Sequence, residues 1–520
     1  MNGSEAMVRT MLASSLEVCF ANPGTSEMHF VSALDRFTQM RCVLGLFEGV
    51  VTGAADGYYR MAGKPAATLL HLGPGLGNGL ANLHNAKRAR SGIVNIVGQH
   101  ATDHIANDAP LTSDIEGIAR PMSHWVKTTA SANEAPVDTA AAITQACGAE
   151  GRIATLILPA DAAWSECETG PVVAQRAAPA SIVRSDAIET IARLIRECRD
   201  PGTVALLLGG RGTRAKAAEL AGRIAAHTGC QILAETKNAR SERGAGRVNL
   251  PQIPYPMDQS LALLKEVRVL ILIGAAKPVA FFAFPGKPRM LMPDDSEVHT
   301  LATPGQDIEA ALDELCRALG AARTPPAMVG LPNLPDGLPS GKPTSEHIGH
   351  VVARMLPENA IVIDEAVTTG RQLQKATVSA APHDWLEITG GSIGYGLPAA
   401  VGAAIACPNR KVLAIIGDGS AMYTLQALWT MAREGLNITV VICANRSYKI
   451  LYGELERMGG PTPGPNATRM LTLAEPALDW VALAKGHGIE GSQVATLEAF
   501  ADALRIAMRT DEPRLIELLV

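Results

Sequence analysis

The chain predicts an α/β protein of three domains, each doubly wound about a parallel sheet. Three observations lead there. Short apolar runs alternate with helix-period stretches along the whole length, the pattern of strands joined by crossover helices. The 520 residues exceed what one ordinary core holds. Two stretches of connector composition, 168–185 rich in Ala and Pro and 324–343 rich in Pro and Gly, divide the chain. The expected domains are 1–168, 186–323 and 344–520.

In the first domain, strands are expected at 18–21, 43–46, 67–71, 93–97 and 155–158. The second should carry strands at 204–208, 231–234 and 269–273. The third should carry them at 360–364, 412–416, 439–443 and 514–519. Most are near-continuous runs of Val, Ile, Leu and Ala, as parallel strands covered on both faces require.

Composition narrows the class. Hydrophobic residues make up 47%, charged ones 19%, and the net charge of −5 comes without a basic run, which gives no sign of a nucleic-acid partner. No apolar run approaches the roughly 20 residues of a membrane span, and the first ten residues lack the basic start and apolar stretch of a secretory signal. Nine cysteines without a C-x-x-C pair argue against a disulfide framework or a zinc cluster. A reducing cytoplasm is the expected compartment.

The most informative stretch is "KVLAIIGDGSAMYTLQ", 411–426. An apolar strand stops at Gly417 and a helix is expected near Ala421, a joint suited to phosphate because helix N-terminal amides attract anions. Asp418 sits in that turn, and a carboxylate tolerates phosphate when a divalent cation lies between them. Mg²⁺ needs further oxygen donors. "NITVVICANRSY" supplies them at the end of the next strand, where Asn445 offers its amide oxygen and Ser447 its backbone carbonyl. Twenty-five residues, one helix plus one strand, lie between Gly419 and Asn445. Carboxyl ends of adjacent parallel strands are where such sheets bind ligands. A plain turn with an Asn cap is the structural alternative.

"GDGS" followed at this distance by Asn resembles the diphosphate motif of thiamine-diphosphate (ThDP) enzymes. The likeness extends over nearly the whole chain, nearest to the group of benzoylformate decarboxylase and the acetolactate synthase catalytic subunit. It implies three α/β domains, termed PYR, central and PP, with the cofactor between the PYR domain of one subunit and the PP domain of another. A homodimer is then the minimum, and homotetramers are common in the group. The resemblance implies ThDP and Mg²⁺ as cofactors, with Asp418, Gly419, Ser420, Asn445 and Tyr448 about the diphosphate and metal, and Asp418, Asn445 and Ser447 as the metal ligands.

Other motifs extend it. "LGLFEGVVTGAADGYYR" puts Glu48 between an apolar strand and a helix of small residues, where it resembles the glutamate that shares a proton with the cofactor's pyrimidine. A helix-capping acid is the alternative. "ANPGTSEMHF" resembles the NPG turn, with Thr25 facing the substrate carboxylate, and "LLHLGPGLGNGLANLHNA" places His71 at a strand end before a glycine-rich loop, matching a proton-transfer histidine. Glycines at every second position from Gly73 to Gly79 do not meet the dinucleotide fingerprint, which disfavours a Rossmann oxidoreductase. "EITGGSIGYGLPAAVGAAI" resembles the loop that grips the aminopyrimidine, through the Gly391 carbonyl and the Ile393 side chain. "IDEAVTTGRQ" offers Val367 and Thr368 to the diphosphate.

The departures are specific. Ala444 stands where the group carries a second Asn, and "GAAKPVAFFAFPGKP" sets Phe281 and Phe282 where benzoylformate decarboxylase has a second active-site His. The expected pocket therefore has an apolar wall. FAD, bound in the central domain of some acetolactate synthases, has a candidate joint at 206–220, but a fold element without ligand is the favoured reading. The implied activity is an acetolactate synthase-like lyase/carboligase that decarboxylates a small-molecule 2-oxo acid and joins the product to a carbonyl acceptor. The alternatives are a benzoylformate-type decarboxylase releasing an aldehyde and a non-catalytic ThDP-binding homologue.

Overall fold

The structure, a computed structural model, describes residues 1–460 and 462–520. Strands β1 (Val18–Asn22), β2 (Arg41–Leu44), β3 (Ala66–Leu70), β4 (Ile93–Gln99), β5 (Trp125–Thr128) and β6 (Ile153–Pro159) form a wholly parallel sheet in the order β2-β1-β3-β4-β6-β5. The next unit supplies β7 (Val204–Leu208), β8 (Gln231–Ala234), β9 (Ser241–Arg243), β10 (Val269–Ile273) and β11 (Glu297–Ala302). Four of these pair in parallel as β11-β10-β7-β8. The last unit contributes β12 (Ile361–Glu365), β13 (His383–Glu387), β14 (Val412–Gly417), β15 (Ile438–Ala444), β16 (Glu490–Val494) and β17 (Arg514–Leu519), in the order β16-β17-β15-β14-β12-β13. At the end of that sheet β9 pairs antiparallel with β13, Arg243 opposite His383.

All twelve expected strands are present, most with ends shifted by a residue or two. Five were not anticipated: β5, β9, β11, β13 and β16. Four of them are edge strands, whose polar, partly exposed sequences do not read as buried runs. The fifth, "HDWLE", is fully buried but carries charges: Asp384 is held by Arg240 at 2.6 Å and by Arg410. Partners elsewhere in the chain neutralise what sequence pattern counts as polar.

Two local expectations are corrected. The glycine-rich stretch after His71 is not a loop but the start of the helix Leu72–Ala89, with His71 as its N-cap. Its glycines give close approach: a Cβ on Gly75 would lie 2.9 Å from Glu48 Oε1, and one on Gly79 2.9 Å from the Thr52 methyl. The helix after β14 begins at Asp418, not near Ala421, and is the single turn Asp418–Ala421.

Small residues also join the first and third units. Helix Glu48–Ala62 crosses helix Gly396–Ala406 so closely that a Cβ on Gly57 would lie 2.2 Å from the Ala399 carbonyl oxygen, and one on Gly402 1.9 Å from that of Ala54. At the end of that contact the buried Arg60 pairs with Asp56 at 2.6 Å. It also donates to the Glu387 carbonyl at 2.6 Å, the Tyr395 hydroxyl at 2.8 Å and the Ala239 carbonyl at 3.2 Å. One side chain thereby reaches all three units.

Gly57→Ala should destabilise the protein by about 1–3 kcal/mol, because backbone must move to admit the methyl. Gly77→Ala, with nothing within 4 Å of the new Cβ and a helical backbone to stiffen, should gain about 0.5–1 kcal/mol. Thermal melts of the two variants should shift in opposite directions; shifts of the same sign would refute the close-approach reading.

Candidate active site

Two groups of side chains stand at the carboxyl ends of the first and third sheets. In the first, β1 ends at Asn22 and turns through Pro23 and Gly24 into the short 3₁₀ turn Thr25–Glu27. Glu27 is buried. Its carboxylate accepts from the Gly24 N–H at 2.8 Å, the Ser26 hydroxyl at 2.8 Å and His71 Nδ1 at 2.8 Å. His71 Nδ1 is thus the ring nitrogen that faces the carboxylate, and Nε2 points away from it. The cluster is tight: a Cβ on Gly24 would lie 2.1 Å from His71 Nδ1, and one on Gly98 1.8 Å from Glu27 Oε1. Thr25 is exposed and its side chain makes no hydrogen bond among the described residues. Sequence reading named Thr25 and missed Ser26 and Glu27. The signal was there, an acid in a strand-terminal turn of a chain that also has a histidine at the neighbouring strand's end.

Glu48 opens its helix and is 6% exposed. Its Oε2 accepts from Asn78 Nδ2 at 3.0 Å, and its Oε1 lies over Gly75. Among the described residues the side chain bonds none of its own helix's amides, although it stands in the first turn, where the helix dipole favours an acid.

In the third unit, β14 and β15 end side by side, Gly417 opposite Cys443. Asp418, 3% exposed, accepts from the Gly419 N–H at 3.0 Å and the Arg446 N–H at 2.7 Å, and meets no cationic side chain among the described residues. Burial raises its pKa, and the charge of Glu517 adds to this. Asn445 Oδ1 accepts from the Ser447 N–H at 2.9 Å. The Tyr448 ring covers Gly419, where a Cβ would lie 2.6 Å from Cε1. Ser420 is buried beside Gly417. Val367 has φ +48°, a strained value for a β-branched residue, in the turn after β12 that also holds Thr368.

A carboxylate that sequence reading missed organises this end. Glu365, at the end of β12, accepts three backbone N–H groups: Gly394 at 2.8 Å, Tyr395 at 3.1 Å and Gly396 at 2.7 Å. Burial nevertheless pushes its pKa up to about 7. The same loop is held from the first unit by His84 to the Gly390 carbonyl at 3.1 Å, Asn85 to the Ser392 carbonyl at 2.7 Å and Asn82 to the Gly394 carbonyl at 3.2 Å. Gly391, at φ +77°, and the half-buried Ile393 are therefore fixed from both sides. Over Gly391 stands Phe281, whose Cζ would be 2.9 Å from a Cβ there. Its ring meets Phe282 at 5.0 Å and Tyr255 at 5.3 Å between centroids, and both phenylalanines remain about half exposed.

The structure thus gathers Thr25, His71 and Glu48 at one sheet end, and Val367, Thr368, Gly391, Ile393, Asp418, Gly419, Ser420, Asn445, Ser447 and Tyr448 at another, with Phe281 and Phe282 beside the second group. No hydrogen bond joins one predicted group to the other among the described residues. No group of three or more His, Cys, Asp or Glu forms a metal cluster among them either. All nine cysteines are free, and no helix among the described residues is long and apolar enough to cross a membrane.

Comparison with known proteins matches residues 1–119 to the model of the thiamine pyrophosphate enzyme N-terminal TPP binding domain. Residues 347–518 match the C-terminal TPP binding domain of the same enzymes. A Mycobacterium tuberculosis protein provisionally named acetolactate synthase large subunit IlvX is 48% identical, covering 100% of this chain and 99% of the relative. Benzoylformate decarboxylase of Pseudomonas aeruginosa is 29% identical over 97% and 96% of the two chains. Among solved structures, the thiamine diphosphate-dependent 4-hydroxybenzoylformate decarboxylase of Rhodococcus jostii superposes with a TM-score of 0.83 at 25% identity, covering 99% and 98%.

The raised pKa of Glu365 has a sign. Its folded value of about 7 lies above an ordinary value near 4.5, so the folded chain holds the proton more tightly and loses stability as pH rises from about 4.5 to about 7. Glu365→Gln should flatten that dependence. At pH 5 it should also lower stability by about 1–3 kcal/mol, since one of the three N–H groups loses its acceptor. Melting temperatures of parent and variant across this range test it; parallel curves would refute the assignment.

Proposed function

Because the chain belongs to the thiamine pyrophosphate enzyme family, we propose that it is a ThDP- and Mg²⁺-dependent lyase/carboligase acting on a 2-oxo acid, in the manner of acetolactate synthase. The observation that carries this reading is Glu48, a buried acid at a helix start that accepts from none of its own helix's amides among the described residues and has one oxygen left open. The helix dipole and Asn78 favour an acid there but leave that oxygen without a partner; proton sharing with a cofactor nitrogen would use it.

The residues present fit both groups. Asp418 is a buried carboxylate with a raised pKa and no cationic partner among the described residues, a deficit that a hard cation with oxygen ligands fills. Asp418, the Asn445 amide oxygen and the Ser447 carbonyl would hold Mg²⁺. Gly419, Ser420, Val367, Thr368 and Tyr448 would hold the diphosphate, on a turn that leaves no room for a Cβ at Gly419. The Gly391 carbonyl and Ile393 would orient the aminopyrimidine. ThDP supplies a carbon nucleophile and electron sink when bound. The chain's own share is to position the 2-oxo acid between Thr25 and His71 on one side and Phe281 and Phe282 on the other, to exclude water along the phenyl wall, and to hold protons on Glu48 and His71.

The two residue groups lie on different units with no hydrogen bond between them among the described residues, which supports a site completed by a second copy: a homodimer at least, and a homotetramer by resemblance. FAD is disfavoured at the glycine joint after β7, where Glu235 presses against Gly209, its Oε2 2.2 Å from a Cβ there. A phosphate in that turn would meet a carboxylate. An aldehyde-releasing decarboxylase of the benzoylformate type is the second reading. The Glu27–His71 pair favours it, because a carboxylate-held imidazole delivers protons.

Two variants should separate cofactor hold from chemistry. Asp418→Ala, or removal of divalent ions with EDTA, should weaken ThDP binding at least about tenfold, about 1.4 kcal/mol, while Glu48→Gln should leave calorimetric affinity near the parent's. Glu48→Gln should instead slow exchange of the cofactor's C2 hydrogen with D₂O by about 10²-fold or more. Metal-independent affinity, or exchange at the parent rate, would overturn the respective role.

Purified holoprotein screened against a panel of 2-oxo acids, reading CO₂ and acyloin products, tests the function itself. A dry apolar wall slows protonation relative to capture by a carbonyl acceptor, so acyloin should dominate when an acceptor is supplied. Phe281→His, which sets a proton donor over Gly391, should shift the product ratio toward aldehyde. A parent that releases only aldehyde would establish the second reading.

A further inference from the structure

A cavity of about 670 Å³ opens where helix Leu72–Ala89 ends. Lys87, Arg88, Arg90 and Arg152 line it together with His84 and His124, and Glu150 is its only acid. The helix dipole accounts for Lys87 and Arg88 in the last turn. It accounts as well for Arg90, the C-cap of that helix, but not for Arg152, which precedes β6. None of the four cations makes an ion pair among the described residues. Lys87 donates to the Pro121 carbonyl at 2.8 Å and Arg90 to the Gly274 carbonyl at 3.2 Å, both neutral acceptors. In a chain of net charge −5, four cations that make no ion pair among the described residues surround a single cavity with one acid, a local concentration of positive charge. The strain shows on His124, whose pKa burial lowers first and the Lys87 and Arg152 charges lower further. His124 Nδ1 accepts the Ile153 N–H at 3.0 Å, so the neutral ring keeps its proton on Nε2 as one more donor.

We propose that this cavity binds a nucleoside di- or triphosphate. Guanidinium groups match phosphate oxygens in paired geometry, and four cations suit a chain of phosphates better than a single carboxylate. The volume lies within the range of small-molecule sites and exceeds the need of inorganic diphosphate alone. Pro121 and Met122 in the wall give an apolar face for a base. The site is not isolated. His84 belongs both to this wall and to the grip on Gly390, next to Gly391, so occupancy bears on the loop that flanks the proposed cofactor position.

The test uses holoprotein preloaded with ThDP and excess Mg²⁺, so that the diphosphate site is already filled. ADP and inorganic pyrophosphate are titrated separately by calorimetry at two salt concentrations. ADP is expected to bind saturably, once per chain, more tightly than pyrophosphate and more weakly at higher salt. The exposed pair Arg88→Glu with Arg152→Glu should weaken ADP at least about tenfold and leave ThDP affinity unchanged, while Arg88→Lys with Arg152→Lys should keep most of the binding. Absence of saturable ADP binding at millimolar concentration, equal affinity in the charge-reversed variant, or pyrophosphate binding as tightly as ADP would each overturn the proposal.

Discussion

The structure depends on the Arg60 guanidinium. It is buried, paired side-on with Asp56, and spends its remaining donors on the Glu387 carbonyl, the Tyr395 hydroxyl and the Ala239 carbonyl. Asp56 is itself held by the Ser91 hydroxyl. Removing two ions from water is costly, and such a pair persists only when every donor is satisfied. Here the satisfying groups come from all three units, so the units must dock in one relative position for the cost to be met. Neighbouring charges repeat the logic: Glu387 takes Lys237 at 2.8 Å and the Asn238 amide at 3.2 Å, and Asp384 takes Arg240. Helix contact through Gly57 and Gly402 brings these groups within reach.

That docking also sets the candidate site. The loop carrying Gly391 and Ile393 is held by Glu365 from below and by Asn82, His84 and Asn85 from the first unit. Preorganisation of this kind comes from supporting hydrogen bonds rather than from the residues that touch a ligand. The second unit adds Phe281 over the same loop, its ring packed against Tyr255, whose pKa is raised first by burial and then by the charge of Glu454 in the helix Lys449–Arg457. Each unit therefore contributes to one small region at the end of the third sheet.

Much of this was legible in the sequence. The buried parallel strands announce themselves as apolar runs. Asp418 drew notice because a charge in a strand-terminal turn is out of place without a partner, Asn445 because a cation there needs a second oxygen donor, and Glu48 by its likeness to the family's glutamate. What escaped were groups whose meaning depends on a distant partner. Glu365 directly precedes the turn that contains Val367 and Thr368, yet nothing local says that three amides thirty residues away converge on it. Glu27 stood two positions from Thr25, and only the fold brings it to His71. The strand His383–Glu387 was hidden because its charges are cancelled by Arg240 and Arg410. The glycines after His71 suggested a loop because their use, close packing against Glu48 and Thr52, is tertiary.

One short strand has a consequence for how such a chain is divided. β9 lies in sequence within the second unit but hydrogen-bonds along the outer edge of β13. Cutting out the second unit would strip that edge and leave a row of unpaired amides and carbonyls facing water, a template for association with other chains. The middle of this protein is therefore not a cassette. A recombination that exchanges it must carry a matching three-residue segment, or leave the third unit with an open edge prone to pair with its own copies.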